Sequence, residues 1–353
     1  MGIYLSEFCI NSIRKEGAMY DLTSLAIQWD PKLSTQHINV IKVIDFLQHH
    51  SIEQHLVPIL VFGYLLATMS DIFNPTKEPV STLILSGIAK GQLPWPDLII
   101  KSFLAGAFLS LGAMFDLVIA GGASSMRQEN PGLVTLLSSF TFPTGFVILT
   151  IVNTELFTAN LFVVVFTTCL RKTRIIDLVK NLVTSYIINL AGALFVAGFL
   201  CWWADVLSTD AQKAYAVTQA EARVNAQWSV NFLRGVGCNW FVGLAIFMSI
   251  AAHDQVSKIY AIWIPIWTFV ALGYQHSIAN FFLVPIGMFH GTNFGVGKFI
   301  YQSIIPVTLG NIVGGSVLNA MTIWLIYGRS RMLAETDSHK DDRAGVTSLT
   351  GDV

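Results

Sequence analysis

Charged residues fall in short islands separated by long apolar runs. No Lys, Arg, Asp or Glu occurs from Ile259 to Gly297, from Phe299 to Gly328, from Gly235 to Ala252 or from Asn181 to Ala204. Between Asn130 and Leu170 the one charge is Glu155. A membrane-crossing helix needs about 20 apolar residues. The pattern therefore predicts six spans, near 98–120, 132–170, 180–204, 230–252, 258–290 and 301–327. The second and fifth are too long for one crossing, too short for two with a loop, and carry polar residues mid-run. They read as helices broken inside the membrane. Unwound backbone is tolerated at that depth only where it is buried in protein or lines a wet cavity.

The flanks read differently. The one apolar run before Met69, Leu56 to Ala67, is too short for a span, and Met69 opens Met-Ser-Asp-Ile-Phe like an ordinary start. Residues 1–72 are expected to be either a dispensable extension or a gene-model artefact. Residues 73–97 should hold an amphipathic cytoplasmic helix and linker, with Pro79 in the first turn and Val80, Leu83, Ile84 and Ile88 on one face. The spans fill 98–328, and the polar tail 329–353 is expected to be disordered. Composition agrees with a membrane protein. Of 353 residues 53% are apolar and 12% charged, against roughly 25% charged in soluble domains, and mean hydropathy is +0.59. A net charge of -1 gives no basic signal for nucleic acid. Cys9, Cys169, Cys201 and Cys238 have neither metal-ligand nor disulfide-framework spacing, and no metal or cofactor is expected.

Lys and Arg counts set orientation. Arg171, Lys172, Arg174 and Lys180 lie between spans two and three, which should be cytoplasmic. Six spans then put both termini inside, in agreement with Arg329 and Arg331. The segment carrying Asp205, Asp210, Lys213, Glu221 and Arg223 is an outside loop on this reading, and Trp95, Trp202 and Trp203 mark span ends. The two halves also match in order. Phe103–Gly106 pairs with Phe232–Gly235, Thr158–Phe162 with Ile278–Phe282, and Asn189–Gly192 with Asn311–Gly314. Three spans per half give inverted repeats, an arrangement that places transport sites at the midplane.

His276 sits mid-run in Gly-Tyr-Gln-His-Ser at the predicted break of span five. An ionisable residue there is costly and is a functional candidate by default; imidazole also changes charge near neutral pH. Thr158, at the matching break, offers a hydroxyl to an anion or to the histidine. Glu155 is read as tying down the loop through freed backbone N–H groups. Phe142, Phe146, Phe157 and Phe269 crowd the breaks and could form dewetted constrictions. Asn160, Asn239, Asn280 and Asn311 are embedded amides that either brace broken backbone or line a pore. Asp116 receives no role.

Gly-Tyr-Gln-His-Ser-Ile-Ala-Asn (273–280) resembles the span-five signature of the formate/nitrite transporter family. Glu155-Leu-Phe-Thr158 resembles its span-two loop, 232–239 its span-four signature and 306–315 its last span. The resemblance covers about 73 to 328. It implies a homopentamer of six-span all-α protomers with an aquaporin-like fold, each with its own pore. It places His276 as the central pore histidine, Thr158 beside it, Asn239 on the substrate path and the four phenylalanines at constrictions. The family's vestibule lysine falls on Arg223 here, so a cation is kept. The implied substrates are small weak-acid anions, formate or nitrite, moving with protons across a lipid bilayer, in the plasma membrane by expectation. With a pKa of about 3–4, such acids are neutral to roughly one part in a thousand or less near pH 7. The bare anion meets a large desolvation cost at a phenylalanine gate, so a proton from His276 or from water beside it would neutralise it. A pH-gated anion channel is the alternative within the fold. A neutral-solute channel lacks paired Asn-Pro-Ala boxes, an ammonium channel would need a histidine facing His276, and a hydrolase built on Ser277 lacks an acid and a nucleophile motif. The protein is not expected to be an enzyme.

Overall fold

A computed structural model describes residues 77–328. The expected extension over 1–72 and the tail over 329–353 lie outside the described residues. In chain order the helices are α1 Lys77–Gly91, α2 Trp95–Gly122, α3 Ser124–Glu129, α4 Pro131–Ile151, α5 Phe157–Cys169, α6 Ile175–Trp203, α7 Asp210–Val224, α8 Trp228–Ala251, α9 Gln255–Ala271, α10 Ser277–Phe289 and α11 Val296–Gly328. Among the described residues α2, α4, α6, α8 and α11 are long and apolar enough to cross a membrane. The two long apolar runs resolve into α4 with α5 and α9 with α10, interrupted at 152–156 and 272–276. The long helices turn Leu, Ile, Phe and Trp outward, as Ile187, Phe199 and Trp203 of α6 do. A lipid-facing surface has no reason to hide such side chains. By contrast α5 and α10, of 13 residues each, are buried along nearly their whole length.

Two boundaries differ from the sequence reading. Helix α6 starts at Ile175, not near 180, because Asp177 in its first turn accepts the Arg174 backbone N–H at 3.3 Å and the Arg174 guanidinium at 2.8 Å. Lys180 is therefore helical rather than in the loop, and its ammonium donates to the Leu93 carbonyl at 2.6 Å. The expected outside loop contains a 15-residue helix, α7, opened by a Thr209–Gln212 capping box. Its weak hydropathy concealed it, yet Ala216, Ala220 and Val224 are buried, and it packs on α10 and α2. Helix α1 buries Val80 and Leu83, with Ile84 packed against the same core.

Glycine brings the long helices into backbone contact. A Cβ on Gly106 of α2 would strike the Asn189 carbonyl oxygen of α6, and one on Gly192 of α6 would strike the Phe103 carbonyl of α2. The seam between α8 and α11 is built likewise, Gly235 facing the Val307 carbonyl and Gly310 the Phe232 carbonyl. Small residues permit this approach, which lipid offers no hydrophobic force to drive.

Candidate functional site

Both breaks are wired by the same chemistry. In the first, Asn189 of α6 accepts the Phe157 N–H at 2.9 Å and donates to the Glu155 carbonyl at 3.0 Å. In the second, Asn311 of α11 accepts the Ser277 N–H at 2.9 Å and donates to the Gln275 carbonyl at 3.1 Å. Each asparagine thus satisfies groups at the start of a short helix that no intrahelical partner serves. Asn160 donates to Glu155 Oε2 at 2.8 Å, and Asn280 donates to Gln275 Oε1 at 2.8 Å. The breaks differ in charge. Glu155 pairs with Lys90 of α1 at 2.6 Å, both side chains being almost out of solvent, and takes a further hydrogen bond from Asn181 at 3.1 Å. Gln275 is neutral and donates to Asn231 at 2.8 Å. The carboxylate of Glu155 is thus held by side-chain donors, not by freed backbone N–H groups as the sequence suggested.

The starts of α5 and α10 meet. His276 is the N-cap of α10, its Nδ1 accepting the Ala279 N–H at 3.1 Å. Its Nε2 lies 2.8 Å from the hydroxyl of Thr158, the second residue of α5. A backbone N–H can only donate, so the ring proton belongs on Nε2 and points at Thr158 Oγ1. The Thr158 O–H is then left to donate to a third group. Aligned peptide dipoles put partial positive charge at each helix start, and here two such ends converge on one buried polar pair.

A small cavity of ≈ 30 Å³ reaches His276. Asp116, Arg223, Phe142, Phe269, Tyr274 and His276 line it. Phe269 stacks on the imidazole with ring centres 6.2 Å apart, and Phe142 stands edge-on to Phe269 at 6.0 Å. Arg223 projects from the last turn of α7 and is braced. Its Nε donates to Gln219 at 2.8 Å, and Gln219 donates to the Leu283 carbonyl of α10 at 2.6 Å. A larger cleft of ≈ 440 Å³ lies away from His276, against Gly91, Arg174 and Lys180. Its Arg174 is already paired with Asp177 and its Lys180 with a carbonyl.

Of the residues singled out by sequence, His276, Phe142, Phe269, Arg223 and Asn280 line the small cavity, and Thr158 is one hydrogen bond from it. Phe146 is in the hydrophobic core. Phe157 packs against Tyr186 at 4.7 Å. Asn239 donates to the Thr158 carbonyl at 3.2 Å and the Asn311 carbonyl at 2.7 Å, so it braces the break rather than lining this cavity. Asn160 and Asn311 also brace. Sequence reasoning missed Lys90, which reads as a solvated position on an amphipathic helix. It also missed Gln275, Asn181 and Asn231, whose signal was an amide inside or beside a charge-free run, and the place of Asp116 at the cavity.

A family profile described as Formate/nitrite transporter matches residues 77–325. The chain is similar to the Probable formate transporter of Methanothermobacter thermautotrophicus, 38% identical over 71% of this chain and 97% of the relative. It is also similar to Formate channel FocA of Escherichia coli, 27% identical over 77% of this chain and 94% of that one. Among solved structures, a pentameric formate channel with formate bound superposes with a TM-score of 0.57 at 27% identity, covering 65% of this chain and 96% of the other. A second, an FNT family ion channel, shares the fold at a TM-score of 0.62 and 24% identity over 72% of this chain and 99% of the other. A profile match running through both breaks and every long helix leaves one assignment: the chain is an integral membrane protein of the formate/nitrite transporter family.

Proposed function

We propose that the protein carries small monovalent anions of weak acids, of the formate and nitrite class, across a membrane together with a proton. The observation that carries this reading is the His276–Thr158 pair, buried where the starts of α5 and α10 converge. The anion gathers at Arg223, which is held at the cavity by Gln219. Passage beyond Phe142 and Phe269 is as the neutral acid, because an apolar constriction penalises an unpaired charge far more than a hydrogen-bonded neutral group. Asn280, which lines the cavity, keeps a buried amide oxygen with no hydrogen-bond partner among the described residues. A spare acceptor there favours a species that donates, such as an acid O–H, over a bare anion. The repeated wiring of the breaks supports two inverted three-span halves with six spans in all. The pentameric neighbour supports a homopentamer with one path per protomer. The basic island at 171–180 supports both termini on the cytoplasmic side of a plasma membrane.

The test is uptake of labelled formate and nitrite into proteoliposomes holding purified protein, with and without an inward proton gradient. Uptake should exceed that of empty vesicles and rise with external acidity. Flux indifferent to the gradient favours an anion channel, and no flux above empty vesicles ends the reading.

Arg223→Gln should weaken uptake mainly at low substrate. A partly buried cation concentrates anions by a screened Coulomb attraction of about 1 kcal/mol, so KM should rise about fivefold while maximal flux falls less. Raising salt should shrink the wild-type advantage. Equal KM at low salt would remove Arg223 from this role.

A further inference from the structure

We propose that Asp116 is the proton-donating acid of the substrate path, a role that rests on the transport reading above. The reasoning starts at His276. Its Nδ1 lone pair is spent on the Ala279 N–H, and its Nε2 proton on Thr158. A second ring proton would have to enter at Nδ1, where it would face the Ala279 N–H and break the cap of α10. The imidazole is therefore held neutral by the fold, and another group must supply the proton.

Asp116 is the one carboxylic acid among the residues lining the cavity, and it shares that cavity with Arg223 and His276. It comes from the second half of α2. The Arg223 guanidinium and the Tyr215 phenol of α7 lie within electrostatic reach of it. Arg127 of α3, its guanidinium carbon 3.8 Å from the Tyr215 ring centre, closes the cluster. A lasting carboxylate would oppose anion entry, so a carboxyl placed beside the gathering cation calls for a different account. A carboxyl and formic acid are acids of one chemical class, so a proton can pass between them in either direction. In the step, the O–H bond of the Asp116 carboxyl breaks as one forms on a formate oxygen held at Arg223. Formic acid moves on past Phe142 and Phe269. The Asp116 carboxylate, steadied by Arg223, takes its next proton from water at the mouth.

The test is formate uptake into proteoliposomes as a function of concentration and external pH. Asp116→Asn keeps the shape and removes the proton. It should lower maximal flux at least tenfold without raising KM, and Asp116→Glu should recover most of it. A variant with wild-type maximal flux and pH profile overturns the assignment. So does one whose KM alone falls, since that describes a mere counter-charge to Arg223. If Asp116→Asn fails to assemble, Asp116→Ser decides. It also removes the acid, so maximal flux should again fall at least tenfold, and wild-type flux in that variant overturns the assignment. Wild-type protein without formate flux would instead end the transport reading itself.

Discussion

Replacing His276 by Phe should cut proton-coupled formate uptake by about two orders of magnitude while leaving the oligomer intact. The imidazole lies parallel to Phe269, so another ring fits the same slot. What disappears is the polar edge. Thr158 loses its partner, and a substrate passing the narrow point loses the hydrogen-bond array built there. Leaving a polar solute unpaired in such a place costs about 3 kcal/mol, which is roughly a hundredfold in rate. The lost N-cap on Ala279 costs about 1 kcal/mol in stability, small beside the packing of a fully buried helix. His276→Asn separates the two effects, because its side chain can still cap α10. Flux that returns with Asn would assign the residue to capping alone, and wild-type kinetics in a well-expressed His276→Phe protein would remove it from the path.

The second large effect concerns stability. Glu155→Gln should destabilise the protein by about 3–5 kcal/mol, the usual loss when one member of a buried ion pair is removed and the other stays. The stranded group is Lys90, whose ammonium would keep only neutral acceptors, the Thr154 carbonyl at 3.1 Å and the new amide oxygen. Lys90→Met alone should cost less, because Asn160 and Asn181 still donate to the carboxylate. The double variant should recover most of the loss. The other break shows why: Gln275 fills the corresponding place with no charge at all. Thermal denaturation of the purified protein across the four variants, wild type included, yields the coupling. Additive single effects would show that the pair contributes nothing beyond its separate hydrogen bonds.

Much of this architecture was legible because a membrane leaves few choices. Charge-free runs marked the helices, and over-long runs with polar interiors marked the breaks. His276 and Thr158 were legible as chemistry out of place in lipid. The residues that stayed hidden look ordinary in one dimension. Lys90 is one more lysine on an amphipathic helix until a distant carboxylate closes on it. Helix α7 is too polar for a hydropathy pattern and too buried for a loop. Asp116 lies near the end of a span, where a charge is cheap, and only the arrival of Arg223 and His276 at the same cavity makes it chemically interesting. Phe146, Phe157 and Asn239 show the converse. Being near a break in sequence does not select between lining a cavity and packing behind it.

The glycine seams bear on how fast solute can move. Where backbone meets backbone, as at Gly106 with Asn189 and Gly310 with Phe232, sliding one helix past the other drives main-chain oxygens into main-chain carbons. Shear of α2 on α6, or of α8 on α11, would have to reopen a seam in every cycle. The compliant elements that remain at the cavity are side-chain torsions, those of Phe142, Phe269 and Arg223. On the transport reading proposed above, turnover would be set by ring rotation and proton supply, and flux should respond weakly to membrane stiffness.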